Sequence, residues 1–154
     1  MNLQENPSPQ LEQVLLIEDD FDDIYIHRRV IEESGMVKNL EIAKDGQTAL
    51  DFLQRKGEYA LRKELNPTPD LILIDISLPR MSGWDFINQY NDLPNSITMH
   101  PVLMVLTTSL NPDDEHRALS MPRVRRFLIK PLTQHEWVKL LKATFPSRFS
   151  YLSS

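Results

Sequence analysis

The sequence predicts a doubly wound α/β fold built on a five-stranded parallel sheet in the strand order 2-1-3-4-5. Three observations carry this. Short, continuously apolar runs such as Val14–Ile17 and Leu71–Ile74 suit strands buried on both faces of a parallel sheet. Strand-like runs alternate five times with segments of helical periodicity, which implies right-handed crossovers and helices on both faces. Two of the runs end in acid, Glu18-Asp19-Asp20 and Asp75, and ligands of such sheets bind at the carboxyl ends of the strands, where this order sets strands 1 and 3 side by side.

The first strand, Val14–Ile17, leads into a helix with the apolar face Ile24, Ile26, Val30 and Ile31, which stops at Ser34-Gly35 with the glycine in the left-handed cap. Leu40–Ala43 alternates as a second strand. Asp45-Gly46 opens a helix carrying Ala49, Leu50, Phe52 and Leu53, expected to run on to about Leu65 before a link restricted by Pro67 and Pro69. The third strand is Leu71–Asp75; Pro79 and Gly83 bracket the loop before a third helix with Trp84, Phe86, Ile87 and Tyr90. The fourth strand, Val102–Leu106, ends in Thr107, Thr108 and Ser109. Asn111-Pro112 then caps and starts a fourth helix, with Asp113 and Asp114 at the positive end of its dipole. Val124–Ile129 is the fifth strand, ending at Lys130-Pro131, and the capping box Thr133-Gln134-His135-Glu136 starts a fifth helix through Trp137, Leu140 and Leu141.

At 154 residues the chain fits one domain. The expected division is a flexible leader over 1–12, the folded domain over 13–144 and a short tail over 145–154, with no output domain. The tail residues Phe145, Pro146, Phe149, Tyr151 and Leu152 either fold back on the domain or bury against a second copy. A net charge of −5 without a basic stripe argues against nucleic acid. The absence of cysteine excludes disulfides and thiolate metal sites, and His27, His100, His116 and His135 are too scattered for a zinc motif. No run approaches the ~20 apolar residues of a membrane span, and the first residues lack the basic start and apolar centre of a signal peptide. The expected compartment is the cytoplasm.

Two ionised carboxylates about 4 Å apart repel by roughly 1 kcal/mol in water and roughly 4 kcal/mol at an effective dielectric of about 20. Glu18, Asp19, Asp20 and Asp75 at one rim therefore serve either as helix caps or as a cation site, and oxygen-only ligands favour Mg²⁺, which works beside phosphate. Thr107 and Lys130 reach the same rim from the fourth and fifth strands. A carboxylate nucleophile, a cation, a hydroxyl donor and a lysine are the parts needed to accept a phosphoryl group, a reaction catalysed mainly by positioning and charge neutralisation. Asp75 would be the attacking group.

The strings VLLIEDD at 14–20, AKDGQTAL at 43–50, LILIDISLPRMSGWD at 71–85, VLMVLTTS at 102–109 and FLIKP at 127–131 resemble, in order and strand context, the receiver domain of two-component response regulators. The resemblance covers about residues 13–144. It implies the flavodoxin-like (βα)5 receiver fold and a phosphoacceptor signalling protein rather than an enzyme, phosphorylated on Asp75 by a histidine kinase with Mg²⁺ or Mn²⁺. It further implies Asp19 as a direct metal ligand beside Asp75, Glu18 acting through water, Asp20 at a more variable place, and Ser77 giving its backbone carbonyl to the metal. Thr107 matches the hydroxyl that bonds the phosphoryl oxygen, Thr108 the small residue beside it and Lys130 the ammonium that pairs with the phosphoryl group. Pro131 would follow a cis peptide. Phe127 occupies the aromatic switch position, rotating into space that Thr107 vacates; its other reading is an ordinary half-buried ring.

The stretch Met121-Pro122-Arg123-Val124-Arg125-Arg126 stands where most receivers have a small-residue pair before the aromatic. With the extended 55–70 segment and the Thr107-Thr108-Ser109 triplet, the chain resembles the small stand-alone receivers that partner phytochrome-type histidine kinases. Arg123, Arg125 and Arg126 form either a partner-facing basic patch or a solvated strand edge. Stand-alone receivers often dimerise, so a homodimer through the face of the fourth helix, fifth strand and fifth helix is expected. A haloacid-dehalogenase-type phosphohydrolase would want an acid/base Asp where Ser77 stands, and a flavodoxin-like cofactor binder would want a Ser-, Thr- or Gly-rich phosphate loop in place of Asp19-Asp20-Phe21-Asp22-Asp23. The remaining alternative is a receiver-like interaction module that works without phosphorylation.

Overall fold

The computed structural model describes residues 10–62 and 68–149. Its elements follow in the order β1 (Leu11–Ile17), α1 (Phe21–Glu33), β2 (Val37–Ala43), α2 (Gly46–Gln54), a 3₁₀ helix (Gly57–Arg62), β3 (Leu71–Ile74), α3 (Gly83–Asn91), α4 (Asn95–Thr98), β4 (Val102–Thr107), α5 (Pro112–Ser120), β5 (Val124–Ile129), α6 (Gln134–Thr144) and α7 (Pro146–Phe149). The strands pair in parallel in the order β2-β1-β3-β4-β5, the doubly wound arrangement of the flavodoxin-like fold.

Alternation along the strands divides the core in two. Leu15, Ile17, Ile72, Ile74, Leu103 and Val105 pack with Phe52, Phe86, Tyr90 and Ala118 of α2, α3 and α5. Val14, Leu16, Leu71, Leu73, Met104 and Leu106 pack with Ile31 of α1 and Trp137 and Leu141 of α6. The continuous apolar runs arise because both faces of the three central strands are covered. Side-chain caps fix where the helices begin: Asp20 on α1, Asp45 on α2, Ser82 with Asp85 on α3, Asn111 with Pro112 on α5, and Thr133 with Glu136 on α6.

Several boundaries differ from the sequence reading. β1 begins at Leu11, inside the stretch read as leader, because Leu11 and Gln13 turn inward and the ladder to Val37 and Asn39 continues past the exposed Glu12. Residues 1–9 of that leader lie outside the described residues. β2 likewise starts at Val37. α2 ends at Gln54 instead of running toward Leu65: Arg55 adopts the left-handed conformation at φ 58°, a C-cap that closes the helix before the 3₁₀ turn. Leu65 itself lies outside the described residues, as do Tyr151 and Leu152. α4 was not foreseen, so the expected fourth and fifth helices are α5 and α6. In α1 the buried stripe is Ile24, His27 and Ile31, whereas Ile26 is 42% exposed. Ile24, Val30 and Ile31 of the expected face turn to the core, and Ile26 alone does not. The tail folds back as far as it is described, with Phe149 buried in the α1/α6 core.

β5 is an edge strand, and its ladder to β4 is interrupted. Leu103 pairs with Val124 and Met104 with Arg126, leaving Arg125 as an extra residue in a bulge.

Candidate functional site

Three candidate site residues follow directly on three strands, and in each case the backbone N–H completes a ladder to the neighbouring strand. Glu18 N–H donates to Ala43 O at 2.9 Å, Asp75 N–H to Ile17 O at 3.2 Å and Lys130 N–H to Thr107 O at 2.8 Å. The sheet register thereby delivers an acid after β1, an acid after β3 and a lysine after β5 to one rim. The cis peptide is present between Lys130 and Pro131.

Lys130 is the hub. Its Nζ donates to Asp75 Oδ2 at 2.7 Å, to Asp23 Oδ2 at 2.9 Å and, in a short contact, to Glu18 Oε1. Burial alone would lower the lysine pKa, but the hydrogen bonds to Asp75, Glu18 and Asp23 overturn this and hold it above its ordinary value. Burial pushes Glu18 above its ordinary 4.5, against the opposing pull of Lys130 and the Asp20 amide. The other oxygen of Glu18 accepts from the Asp19 and Asp20 amides, both at 3.0 Å. Asp75 Oδ1 accepts from Ser77 N–H at 3.0 Å.

Gly83 packs directly beneath Asp75. A Cβ there would overlap the Asp75 carbonyl and Ile76 Cα, and its N–H already donates to Ile76 O at 3.0 Å. Glycine is needed at this close approach of two backbones.

None of the remaining site side chains pairs with Lys130 Nζ. Asp19 is exposed at the rim, while Asp20 is occupied as the α1 cap, accepting from Asp22 and Asp23 amides. Ser77 is exposed, and its contact within the site is the N–H bond to Asp75 Oδ1. The Thr107 side chain is buried at the end of β4 and its Oγ1 accepts from Ser109 N–H at 3.3 Å; Thr108 is exposed. Phe127 is half-buried against the α2/α3/α5 core, opposite Val105 in the ladder. Arg123 turns toward Asn91 and Asn95 at the ends of α3 and α4, whereas Arg125 and Arg126 are exposed on the β5 edge.

Asp23 is the residue the sequence reading missed. It sits on α1, one turn past the strand end where acids were sought, and its spacing from Asp19, one helical turn apart, is the signal that could have found it.

The donor set can be tested against a divalent cation. Among the described residues no group of three or more His, Cys, Asp and Glu side chains is gathered as a metal site. Glu18, Asp23 and Asp75 are turned onto Lys130 instead. Three carboxylates share one ammonium, so negative charge is left over beside the exposed Asp19. Excess charge on hard oxygen donors suits Mg²⁺ or Mn²⁺, and the residues present fit such an ion.

A doubly wound domain with buried acids and a lysine at the switch-point rim defines the receiver class. The response regulator receiver domain profile matches residues 14–142, and the chain belongs to that family. It is 39% identical over 101 residues to the response regulator Rcp1 of Synechocystis sp., a match spanning 66% of this chain and 65% of Rcp1. Among solved structures it resembles the phosphorylated cyanobacterial phytochrome response regulator RcpA, with TM-score 0.71, 25% identity and coverage of 93% of this chain and 97% of that one. The Mn²⁺-bound form of Rcp1 matches with TM-score 0.67, 30% identity and the same coverage. Among the described residues no helix is long and apolar enough to cross a membrane.

Proposed function

We propose that this chain is a cytoplasmic response regulator that accepts a phosphoryl group on Asp75 from a phosphohistidine of a histidine kinase, a phytochrome kinase in the first instance. The observation that carries this reading is the buried Lys130 ammonium at 2.7 Å from Asp75 Oδ2, within a cluster that holds more acid than base. A carboxylate oxygen of Asp75 attacks phosphorus, the O–P bond forms as the N–P bond of the donor breaks, and the electron pair leaves on the imidazole nitrogen. Lys130 holds the acceptor in place and then pairs with the phosphoryl oxygens. Asp19, Asp75 and the Ser77 carbonyl would hold Mg²⁺ or Mn²⁺, with Glu18 acting through water; the ion supplies neutralisation of the phosphoryl charge.

Output follows from Thr107. Turning its hydroxyl toward the phosphoryl group breaks the bond from Ser109 N–H and vacates space beside Phe127. Inward rotation of that half-buried ring reshapes the α5–β5–α6 face, through which two copies pair. Phosphorylation thereby shifts a two-state equilibrium.

The test is to incubate the protein with acetyl phosphate and Mg²⁺ and follow intact mass, using a second small phosphodonor as a control. One phosphoryl adduct is expected, absent in Asp75→Asn. No adduct with either donor, or one that survives Asp75→Asn, would sink the reading and leave a phosphorylation-independent interaction module. Phosphotransfer from a panel of histidine kinases, scored for preference toward phytochromes, tests the partner.

A further inference from the structure

His27 is buried to 1% exposure, and no step above uses it. Both of its ring nitrogens face backbone groups of fixed polarity. Nδ1 lies 2.8 Å from the Asp23 carbonyl oxygen, which only accepts, and Nε2 lies 3.2 Å from the Leu132 amide nitrogen, which only donates. The ring is therefore neutral, with its proton on Nδ1 and the Nε2 lone pair receiving Leu132 N–H. An imidazolium would set two N–H groups against each other. Burial first, and then the nearby Lys130 charge, lower the pKa and favour this form, against the bond to Asp23.

The two residues joined by the ring flank Lys130. Asp23 carries the carboxylate that bonds Nζ at 2.9 Å. Leu132 follows Lys130-Pro131, and because Pro131 has no N–H, the Leu132 amide is the first donor after the lysine. We propose that His27 is a positioning residue for Lys130, tying α1 at Asp23 to the loop leaving β5 at Leu132 so that the ammonium stays against Asp75. The role rests on the phosphoacceptor reading given above.

Two substitutions separate the two bonds. His27→Gln sets a carbonyl oxygen near the place of Nε2, able to accept from Leu132, whereas His27→Asn keeps only a donor toward Asp23. Adduct formation with acetyl phosphate and Mg²⁺ is expected to slow about tenfold in His27→Asn and to stay within about twofold of wild type in His27→Gln. In a Lys130→Ala background His27→Asn should add nothing to the loss, because the histidine acts through the lysine. Equal rates in His27→Asn and wild type, failure of His27→Gln to rescue, or a full further loss in the Lys130→Ala background would each overturn the role. If His27→Asn does not fold, the His27→Gln rate and the ring nitrogens of wild type decide. A long-range proton–nitrogen spectrum near neutral pH should show the proton on Nδ1 and a bare Nε2; a proton on Nε2 refutes the tie whatever the phosphorylation result. An inert wild type fails the phosphoacceptor reading and takes the positioning role with it, whereas an active wild type with unaffected variants fails the positioning role alone.

Discussion

Asp70 and Asp75 bracket the same strand, β3, and both are buried, yet their surroundings differ in one respect. At the amino end, Asp70 Oδ2 accepts from Glu12 N–H at 2.7 Å, and Oδ1 lies 2.6 Å from His100 Nε2 and 3.8 Å from Arg148. One acid there meets two basic side chains. At the carboxyl end, Asp75, Glu18 and Asp23 compete for a single ammonium. Burial of a carboxylate therefore does not by itself distinguish the two ends. The balance of acid to base does: a satisfied aspartate ties segments together, here β1, β3, the residues before β4, and α7, while an overcrowded one is poised to receive charge of the opposite sign.

The largest expected contrast is chemical. Asp75→Asn should abolish the acetyl phosphate adduct while Asp70→Asn leaves it intact by mass; loss in both variants would break the distinction between the two ends. Next in size, Gly83→Ala forces a Cβ into the Asp75–Ile76 backbone and should cost about 3 kcal/mol in urea unfolding, with slower adduct formation. A smaller effect separates the aspartates by sign. Asp70→Asn weakens or orphans paired groups and should lower stability by about 2 kcal/mol, whereas Asp75→Asn removes one of three crowded like charges and should not lower it. Matching losses in urea midpoints would refute the idea of surplus charge.

The smallest effect concerns acid. His27 has a folded-state pKa below its ordinary 6.5, so the unfolded chain takes up the proton first. The stability carried by the neutral ring is present above 6.5 and lost as pH falls through the lowered value. Glu18 runs the other way: its pKa is raised, so the cost of its ionised form recedes as pH falls through the raised value toward 4.5. Midpoints of urea unfolding measured just below pH 6.5 should fall less steeply in His27→Gln than in wild type. An unchanged slope would remove His27 from the acid response.

Much of this arrangement was legible in the chain because the candidate site groups follow directly on apolar runs. Glu18, Asp75 and Lys130 could be placed at one rim by counting strands, and Thr107 by the end of β4. Asp23 and His27 were not, although Ile24 and Ile31 mark the buried side of α1 on which His27 lies. Ile26 obscured that side by being apolar yet exposed. Pattern reading weighs hydrophobicity, whereas His27 is buried because two backbone groups complete its ring. The end of α2 was hidden for a related reason: Arg55 takes a left-handed conformation that nothing in its own chemistry announces.

The bulge at Arg125 has a further consequence. β5 presents its outer row of peptide groups to solvent, and an unbroken, flat edge of that kind would template the addition of a foreign strand. The extra residue twists the edge, and the exposed Arg125 and Arg126 place positive charge along it. Sheet extension from one molecule into the next is thereby disfavoured, and so is the open-ended stacking that leads to fibres. Deletion of Arg125 is expected to straighten the edge and to raise aggregation, read as light scattering over time against the wild type.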